Sequence, residues 1–184
     1  LLCDNPACQC GRSRKHSIEE LRKKIYGIIW EEQLQRGVAA EISQALMEEV
    51  YTTPKPGLVD REDTGAHTDM NCQTFQKSTE AIAEDLAAMF EAGYSWEADP
   101  KTLFPLLRER GKKTEEKMFV ATGGVNTHKG IIFTIGILAA AAGISLRNYG
   151  KIESEDVCRI SLEMTKKELE QDLRKLKQSS GITH

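Results

Sequence analysis

The chain has 184 residues, which is long enough for one compact domain with its own apolar core. Its hydrophobic content of 40% and charged content of 29% are ordinary for a soluble globular protein. The net charge of −3 argues against a general nucleic-acid-binding protein, because such proteins are usually basic. The 25 Lys and Arg residues still leave room for a local phosphate-binding pocket.

No segment of the sequence predicts membrane insertion or secretion. The longest apolar stretch, residues 130–144, is shorter than the about 20 residues that a membrane span needs, so we interpret it as a buried helix. The N-terminus has no basic segment followed by an apolar core, so we expect no membrane partner and a cytoplasmic location. The chain begins with Leu1 rather than Met, so a preceding segment could have been removed.

The cysteine pattern favours free thiols. The chain has five cysteines, an odd number, and Cys72 and Cys158 are isolated, which suits a reducing cytosol better than a disulfide framework. Zinc is the alternative near the N-terminus, but the spacing C-x4-C-x-C-x5-H matches no common zinc module. The four candidate ligands are Cys3, Cys8, Cys10 and His16.

The periodicity is helical along almost the whole chain. Ser17 to Glu20 reads S-I-E-E, a capping box that predicts a helix start. Apolar residues then recur at helical spacing in three stripes. These stripes are Ile18, Leu21, Ile25 and Ile28; Val38, Ile42, Leu46 and Val50; and Phe75, Ile82, Leu86 and Phe90.

The second half of the chain continues this pattern. Asp99 and Pro100 predict a cap and first turn of another helix, which could break near Gly111. Residues 127–142 predict a central buried helix ended by Gly143, and Ser154 predicts the cap of a last, leucine-striped helix. No stretch alternates as a strand would. The predicted fold class is therefore all-α, a multi-helix bundle.

Two irregular segments interrupt the helices, and such loops often carry chemistry. In the second, residues 122–130, Gly123 and Gly124 allow positive φ and close approach of a ligand. A helix starting near Asn126 or Thr127 would present free N–H groups to phosphate, and an anion would offset the charge of Lys129 in its first turn. The alternative is an ordinary glycine turn with a solvated lysine.

The first irregular segment, residues 52–70, is richer in polar groups. Lys55 lies between two prolines that hold its backbone extended, and Pro56-Gly57 suits a type II turn. Carboxylates and an imidazole follow, which can hold Mg²⁺ or transfer protons, while Lys55 and a following arginine can bind phosphate oxygens. The alternative is a solvated charged loop, which explains the proline-held lysine poorly. The polar residues that follow the turn are Asp60, Arg61, Asp63, His67 and Asp69.

At these segments the sequence resembles the triphosphoribosyl-dephospho-CoA synthase family. The similar stretches are residues 45–61 (ALMEEVYTTPKPGLVDR), 65–70 (GAHTDM), 74–78 (TFQKS) and 122–130 (TGGVNTHKG). The resemblance runs from about Gly27 to the end. Residues 1–25 are similar to the C-terminal end of the citrate lyase phosphoribosyl-dephospho-CoA transferase. We therefore predict a fused protein, with a transferase remnant at 1–25 and the N-terminal part of a synthase domain at 26–184.

The resemblance implies a reaction in which ATP and 3′-dephospho-CoA give 2′-(5″-triphosphoribosyl)-3′-dephospho-CoA and adenine. The product is the prosthetic-group precursor of citrate lyase, which implies a functional link to its acyl carrier protein. Positive charge develops on the ribose in such a glycosyl transfer, so acid and base assistance both help. The retained triphosphate needs a cationic, Mg²⁺-assisted cradle.

We assign the residues of the two loops to these tasks as a hypothesis. The expected catalytic residues are Asp60, His67 and Asp69, of which Asp60 and Asp69 are also the expected metal ligands. The expected phosphate-binding residues are Lys55, Arg61, Gly123, Gly124 and Lys129. The expected ribose or base contacts are Asn126 and His128, and Gly57 and Thr127 are also expected to bind substrate. The assignment requires both loops to converge, with Lys55 and Lys129 sharing a cavity.

Family members continue beyond the point where this chain stops, so we expect the C-terminal part of the fold to be missing. Part of the active site would then be absent, and apolar helix faces would be exposed. Two other functions stay open. One is a metal-dependent phosphohydrolase on a helical fold, and the other is an inactive fragment that acts only by association, with dimerisation through the last helix.

Overall fold

The computed structural model describes residue 13 and residues 16–179. Within 16–179 it contains five α-helices, one short 3-10 turn and no β-strand, which confirms the all-α prediction. The helices are α1 (Ile18–Tyr51), α2 (Cys72–Tyr94), α3 (Phe104–Thr122), α4 (Lys129–Tyr149) and α5 (Ser154–Ser179), and the 3-10 turn is Pro100–Thr102. The three N-terminal cysteines lie outside the described residues, so the zinc alternative stays a prediction.

Helix α1 begins where the sequence predicts. The Ser17 hydroxyl accepts from the backbone N–H of Glu20, and the Glu20 side chain accepts from the Ser17 N–H. The helix then continues for 34 residues, so the first two apolar stripes belong to one helix. It passes residues 25 and 26 without a break, so no structural discontinuity marks the predicted domain boundary, which stays a prediction.

Helix α2 forms the centre of the bundle and packs against α1, α3 and α4. Its inner face carries Ile82, Leu86 and Met89, which are all at least 99% buried. The closest approach is to α4, where small residues let the two backbones meet. A Cβ added to Gly93 would lie 1.9 Å from the carbonyl oxygen of Ala140, so only glycine fits there.

The sequence predicted that the central helix ends at Gly143, but the helix continues past this residue. The packing of α2 against α4 explains why. A Cβ added to Gly143 would lie 2.2 Å from the carbonyl oxygen of Phe90, so its lack of a side chain serves contact with α2. Helix α4 runs on to Tyr149 and ends at Gly150, which has a left-handed φ of 69°. Gly143 does mark a structural feature, but that feature is close packing between two helices and not a helix end.

Three other boundaries also differ from the predictions. Helix α3 runs through Gly111 unbroken. Asp99 caps the 3-10 turn by accepting from the Lys101 N–H, and α3 starts later, at Phe104. Helix α4 starts at Lys129 with His128 as its cap residue and no side-chain cap. The predicted cap Thr127 instead donates its hydroxyl to Ser78.

Helix α4 is longer than the apolar stretch at its centre. At 21 residues the whole helix is, by length and composition alone, long and apolar enough to cross a membrane, whereas the stretch predicted to be too short, residues 130–144, is only part of it. Half of its most apolar window is buried inside the fold, and a core helix of a soluble protein passes the same test.

Apolar surface is also exposed on the outside of the bundle. A groove of about 890 Å³ between α1, α4 and α5 is lined mainly by apolar side chains, including Ile42, Phe90 and Val157. On α5, Leu162 and Leu173 are 60% and 57% exposed. The exposed apolar helix faces that were expected are therefore present.

Candidate functional site

The loop between α1 and α2 folds back on itself as a compact unit. The Leu58 N–H donates to the Lys55 carbonyl over 3.0 Å, and Gly57 has a φ of 79°, as the predicted type II turn requires. Gly65, with a φ of 58°, packs directly on this turn, since an added Cβ would lie 2.5 Å from the Gly57 carbonyl carbon. The two glycines thus allow the turn at residues 55–58 and the segment around Gly65 to pack together.

Asp60 organises this loop from within. Its carboxylate accepts the backbone N–H groups of Lys55 over 3.0 Å, Glu62 over 2.8 Å and Asp63 over 3.0 Å. The N–H groups of Asp63, Glu62 and Lys55, in that order, hold the pKa of the Asp60 carboxyl below its ordinary value, and the Lys55 charge adds to this. Asp60 is only 5% exposed. Its most evident contribution is to loop conformation.

Lys55 turns back onto the C-terminal end of α1. Its Nζ donates to the Glu49 carbonyl over 2.7 Å and lies 3.1 Å from the Glu49 Oε1. A cation at this position also interacts favourably with the helix dipole. The Lys55 side chain is 14% exposed, whereas the Glu49 side chain is 56% exposed. Glu49 is therefore the accessible member of the pair.

His128 anchors the second loop in the core. Its Nδ1 lies 2.7 Å from the Ser78 Oγ, and Thr127 donates its hydroxyl to the same Ser78 oxygen over 2.7 Å. The Phe75 ring packs edge-on against the imidazole at a centroid distance of 5.0 Å. Ser78 and Phe75 both lie on the first turns of α2. The second loop is thereby joined to α2.

The imidazole of His128 is neutral at pH 7. It is 1% exposed, and burial lowers its pKa to about 4, against an opposing influence of the Glu49 negative charge. Glu49, which pairs with Lys55 at the end of α1, thus carries the charge that opposes the effect of burial on His128.

Lys129 points to a different part of the bundle. Its Nζ lies 2.6 Å from the Glu115 Oε1 on α3, so Glu115 supplies the compensating charge that an anionic ligand was expected to supply. Lys129 and Glu115 line a cavity of about 130 Å³ between α2, α3 and α4, and Lys55 does not line that cavity. This cavity is therefore not the one that Lys55 and Lys129 were expected to share, and the assignment of Lys129 to phosphate stays a prediction.

The turn before α4 has the open backbone that an anion site needs. Gly123 and Gly124 adopt φ values of 67° and 93°, and the Thr122 hydroxyl closes the turn by donating to the Val125 carbonyl. Asn126 is exposed. Because α4 lacks a side-chain cap, N–H groups of its first turn are open to an anionic ligand.

The remaining predicted residues of the first loop are exposed, except His67, which is half-buried. The Arg61 guanidinium lies 4.8 Å from the centroid of the Tyr51 ring, a cation–π contact. His67 Nδ1 and Asp69 Oδ1 are 3.9 Å apart. Among the described residues there is no group of three His, Cys, Asp or Glu side chains that could hold a metal. The assignment of Asp60 and Asp69 to Mg²⁺ therefore stays a prediction.

Comparison with known proteins places this arrangement in a family. Residues 35–184 match the family CitG, ATP:dephospho-CoA triphosphoribosyl transferase. The chain belongs to this family. Residues 1–32 match a second family, CitX, apo-citrate lyase phosphoribosyl-dephospho-CoA transferase. Both resemblances recognised from sequence motifs are confirmed, and the two matches meet within α1.

Curated relatives agree with this membership. The chain is 36% identical over 154 residues to the 2-(5''-triphosphoribosyl)-3'-dephosphocoenzyme-A synthase of Escherichia fergusonii, covering 81% of this chain and 51% of that protein. It is 39% identical over 164 residues to a probable synthase of the same name from Streptococcus pyogenes serotype M3, covering 81% and 56%. The chain thus spans about half the length of these relatives. No solved structure matches it.

Sequence reasoning missed three residues of this site, Glu49, Phe75 and Ser78. All three lie inside the stretches that carried the family resemblance, residues 45–61 and 74–78. They lie on regular helices next to the loops. Sequence reasoning interprets a polar residue there as an ordinary position on the helix surface, and it assigned Phe75 to an apolar stripe. Their place inside those stretches was the signal that could have singled them out.

Proposed function

We propose that this chain forms the substrate-binding part of a triphosphoribosyl transferase that joins the triphosphoribosyl group of ATP to 3′-dephospho-CoA and releases adenine. The observation that carries the proposal is the anchoring of the second loop on α2, where Thr127 and His128 bond to Ser78. These residues lie within the stretches that resemble the family. The family match covers residues 35–184, which include both loops.

The triphosphate, in this proposal, lies along the turn before α4. Gly123 and Gly124 bring the backbone close to the phosphates, and the open N–H groups of the first turn donate to their oxygens. Arg61, Lys129 and Lys55 supply positive charge, with the Gly57 turn presenting Lys55. For Lys55 and Lys129 this requires exchange of a glutamate partner for a phosphate oxygen. The Lys129 side chain is 57% exposed, and ion pairs at such surface positions are weak enough to exchange.

Glycosyl transfer needs groups that hold the sugar and move one proton. Bond breaking leaves positive charge on the ribose ring, so carboxylates near the ring stabilise the transition state. Asp60, His67 and Asp69 remain the proposed proton-transfer and charge-stabilising groups. Asn126, Thr127 and the neutral imidazole of His128 are proposed to contact ribose or base by hydrogen bonds.

Mg²⁺ is proposed to enter with the nucleotide. When bound, it neutralises part of the triphosphate charge, and it usually takes one or two protein carboxylates beside phosphate oxygens. Asp69 is exposed and available, whereas the oxygens of Asp60 already accept three backbone N–H groups. Asp69 is therefore the stronger candidate of the two predicted ligands.

The wider setting follows from the same proposal. The product would serve citrate lyase, so we propose a functional link to its acyl carrier protein, a cytoplasmic location and no role for nucleic acid or membranes. A homodimer is proposed as a further possibility, because exposed leucines on α5 offer an apolar surface.

The deciding experiment is chromatography of free adenine. The chain is incubated with ATP, Mg²⁺ and 3′-dephospho-CoA, and each component is omitted in turn. We expect adenine only when both substrates are present. Release of inorganic phosphate or pyrophosphate without adenine would instead support the metal-dependent phosphohydrolase.

One observation favours the non-catalytic alternative, a fragment that acts by association. Leu162 and Leu173 on α5 are more than half exposed, as helix-pairing residues would be. That alternative expects no product of either kind. It also expects a concentration-dependent increase in mass by light scattering, which Leu173→Glu abolishes.

A further inference from the structure

The cavity that Lys129 and Glu115 line has an apolar floor and an exposed rim. It measures about 130 Å³, and its floor includes Met89, Leu107 and Ile132, which are at most 4% exposed. An apolar cavity of about 150 Å³ can hold a benzene molecule. A cavity of this size therefore accepts one aromatic ring, and the rest of a fused ring system would lie at the rim.

Two aromatic side chains line the cavity at different depths. Phe104 is buried, whereas Phe133 is 47% exposed, and their rings meet edge to face with centroids 6.2 Å apart. An exposed aromatic ring beside an apolar floor offers a stacking surface to a flat group. The cavity therefore suits a planar aromatic group better than a phosphate, which an apolar floor would leave without hydrogen bonds.

One ion pair spans the cavity from α3 to α4. The Glu115 Oε1 lies 2.6 Å from the Lys129 Nζ, and the side chains are 26% and 57% exposed, so the carboxylate is the more buried member. The other two charged lining residues, Arg108 and Lys112, bond to carboxylates that do not line the cavity. Glu115 and Lys129 are therefore the charged groups with which a ligand in the cavity would interact.

The proposed function changes this ion pair, and the inference rests on that function at this step. There Lys129 exchanges Glu115 for a phosphate oxygen, which leaves the Glu115 carboxylate as a hydrogen-bond acceptor beside the cavity. Adenine carries an exocyclic amino group that donates, whereas hypoxanthine carries a carbonyl oxygen at the same position. Lys129 is also the first residue of α4, so it joins the cavity to the turn assigned to the triphosphate.

We propose that this cavity binds the adenine base of ATP, with Phe133 stacked on the base and Glu115 accepting from its amino group. Lys129 stays with the phosphates, and the ribose is left to the loop before α4. Because adenine is the group that the proposed reaction releases, the cavity is the subsite of the leaving group. Glu115 thereby becomes a specificity-determining residue that sequence reasoning did not identify.

The first test fills the cavity and measures ligand affinity by isothermal titration calorimetry on the full chain. Gly111 lines the cavity, and an added Cβ would approach only the Ile132 Cγ2, at 3.9 Å, so larger side chains fit without backbone overlap. Gly111→Leu should weaken ATP about 10-fold or more, because the base loses its buried position. Gly111→Ala, which fills less space, should weaken ATP by a smaller factor.

Matched controls separate the base from the rest of the nucleotide. Ribose 5-triphosphate has no base, so its affinity should be the same in Gly111→Leu and the wild type. The second substrate, 3′-dephospho-CoA, also carries adenine, and its affinity should not change either. Gly37→Leu is the control variant, since Gly37 lines the separate groove between α1, α4 and α5 and has room for a Cβ. It should bind ATP as the wild type does, and circular dichroism checks that the variants fold.

The second test concerns the carboxylate and compares ATP with ITP, which carries hypoxanthine. The wild type should prefer ATP by about 10-fold, as for a hydrogen bond to a charged group. In Glu115→Gln this preference should shrink to about 2-fold or less, because an amide can accept from the amino group or donate to the carbonyl. The ratio is compared because loss of the ion pair alters the affinity for both nucleotides. Glu116→Gln, the next residue of α3 and not part of the cavity lining, should keep the wild-type ratio.

Each outcome bears on a separate claim. Unchanged ATP affinity in Gly111→Leu, or an equal loss for ribose 5-triphosphate or in Gly37→Leu, overturns the base cavity. Weakened 3′-dephospho-CoA with unchanged ATP overturns the assignment to ATP, and an ATP-to-ITP ratio that Glu115→Gln leaves unchanged overturns the role of Glu115. A loss confined to ATP in Gly111→Leu, in a chain that releases no adenine, supports the cavity and refutes the transferase proposal. Absence of any ATP binding in the wild type overturns both.

Discussion

The contact between α2 and α4 should tolerate no side chain at Gly143. An alanine there would place its Cβ 2.2 Å from the Phe90 carbonyl oxygen and 2.6 Å from the Tyr94 nitrogen. Both are backbone atoms of α2, so no side-chain rotation can relieve the overlap. The helices must separate, and the buried side chains near their crossing lose contacts.

Two opposing effects set the size of the change. Replacing glycine by alanine in a helix gains about 1 kcal/mol from the lower entropy of the unfolded chain. Overpacking a core costs about 1–3 kcal/mol, and backbone overlap belongs at the upper end of that range. The net loss at Gly143 should be about 2 kcal/mol, or a fall in Tm of about 4–8 °C for a chain of this length.

The assay is thermal and urea unfolding followed by circular dichroism. Gly37→Ala is the matched control, because Gly37 also lies within a helix but an added Cβ has no neighbour within 4 Å. That variant should gain about 0.5–1 kcal/mol. If Gly143→Ala were as stable as the wild type, or if both variants changed stability alike, the account of the α2–α4 contact would be wrong.

Three further predictions concern the site. Because burial lowers the pKa of His128 to about 4, the unfolded chain binds a proton between about pH 6.5 and 4 that the folded chain does not. Urea unfolding should therefore show a loss of about 3 kcal/mol between pH 7 and 4 that is absent in His128→Asn; equal losses would refute this. Asp60→Asn should speed hydrogen exchange of the three amides that the carboxylate accepts, measured by NMR, whereas unchanged protection would contradict its organising role. Lys55→Ala and Lys129→Ala should each weaken ATP binding in calorimetry, and unchanged affinity in both would remove them from the nucleotide site.

Local signals predicted the helices and turns well. The Ser17 capping box and the Pro56-Gly57 turn were correct, because each depends on hydrogen bonds within a few residues. The errors occurred at Gly111 and Gly143, which were read as helix ends. A glycine inside a helical pattern can mark an end or a close contact, and only the neighbouring helix distinguishes the two.

The candidate site was predicted in part for the same reason. The two loops were recognised by their glycines, prolines and charged residues, and the Pro56-Gly57 turn is confirmed. The partners of the two lysines were not predictable, because Lys55 turns to Glu49 and Lys129 turns to Glu115 in another helix. Which carboxylate a lysine pairs with depends on distances across the bundle, and periodicity contains no such distances.

The all-helical architecture, the order of its elements and the family follow from the residues alone, since capping, spacing and motif order are properties of the chain as written. Packing decided the rest. The burial of His128 and its bond to Ser78 arise only when α2 and the turn before α4 come together. A histidine in a polar loop would otherwise stay solvated, and it is the exclusion of water by those neighbours that keeps this one neutral.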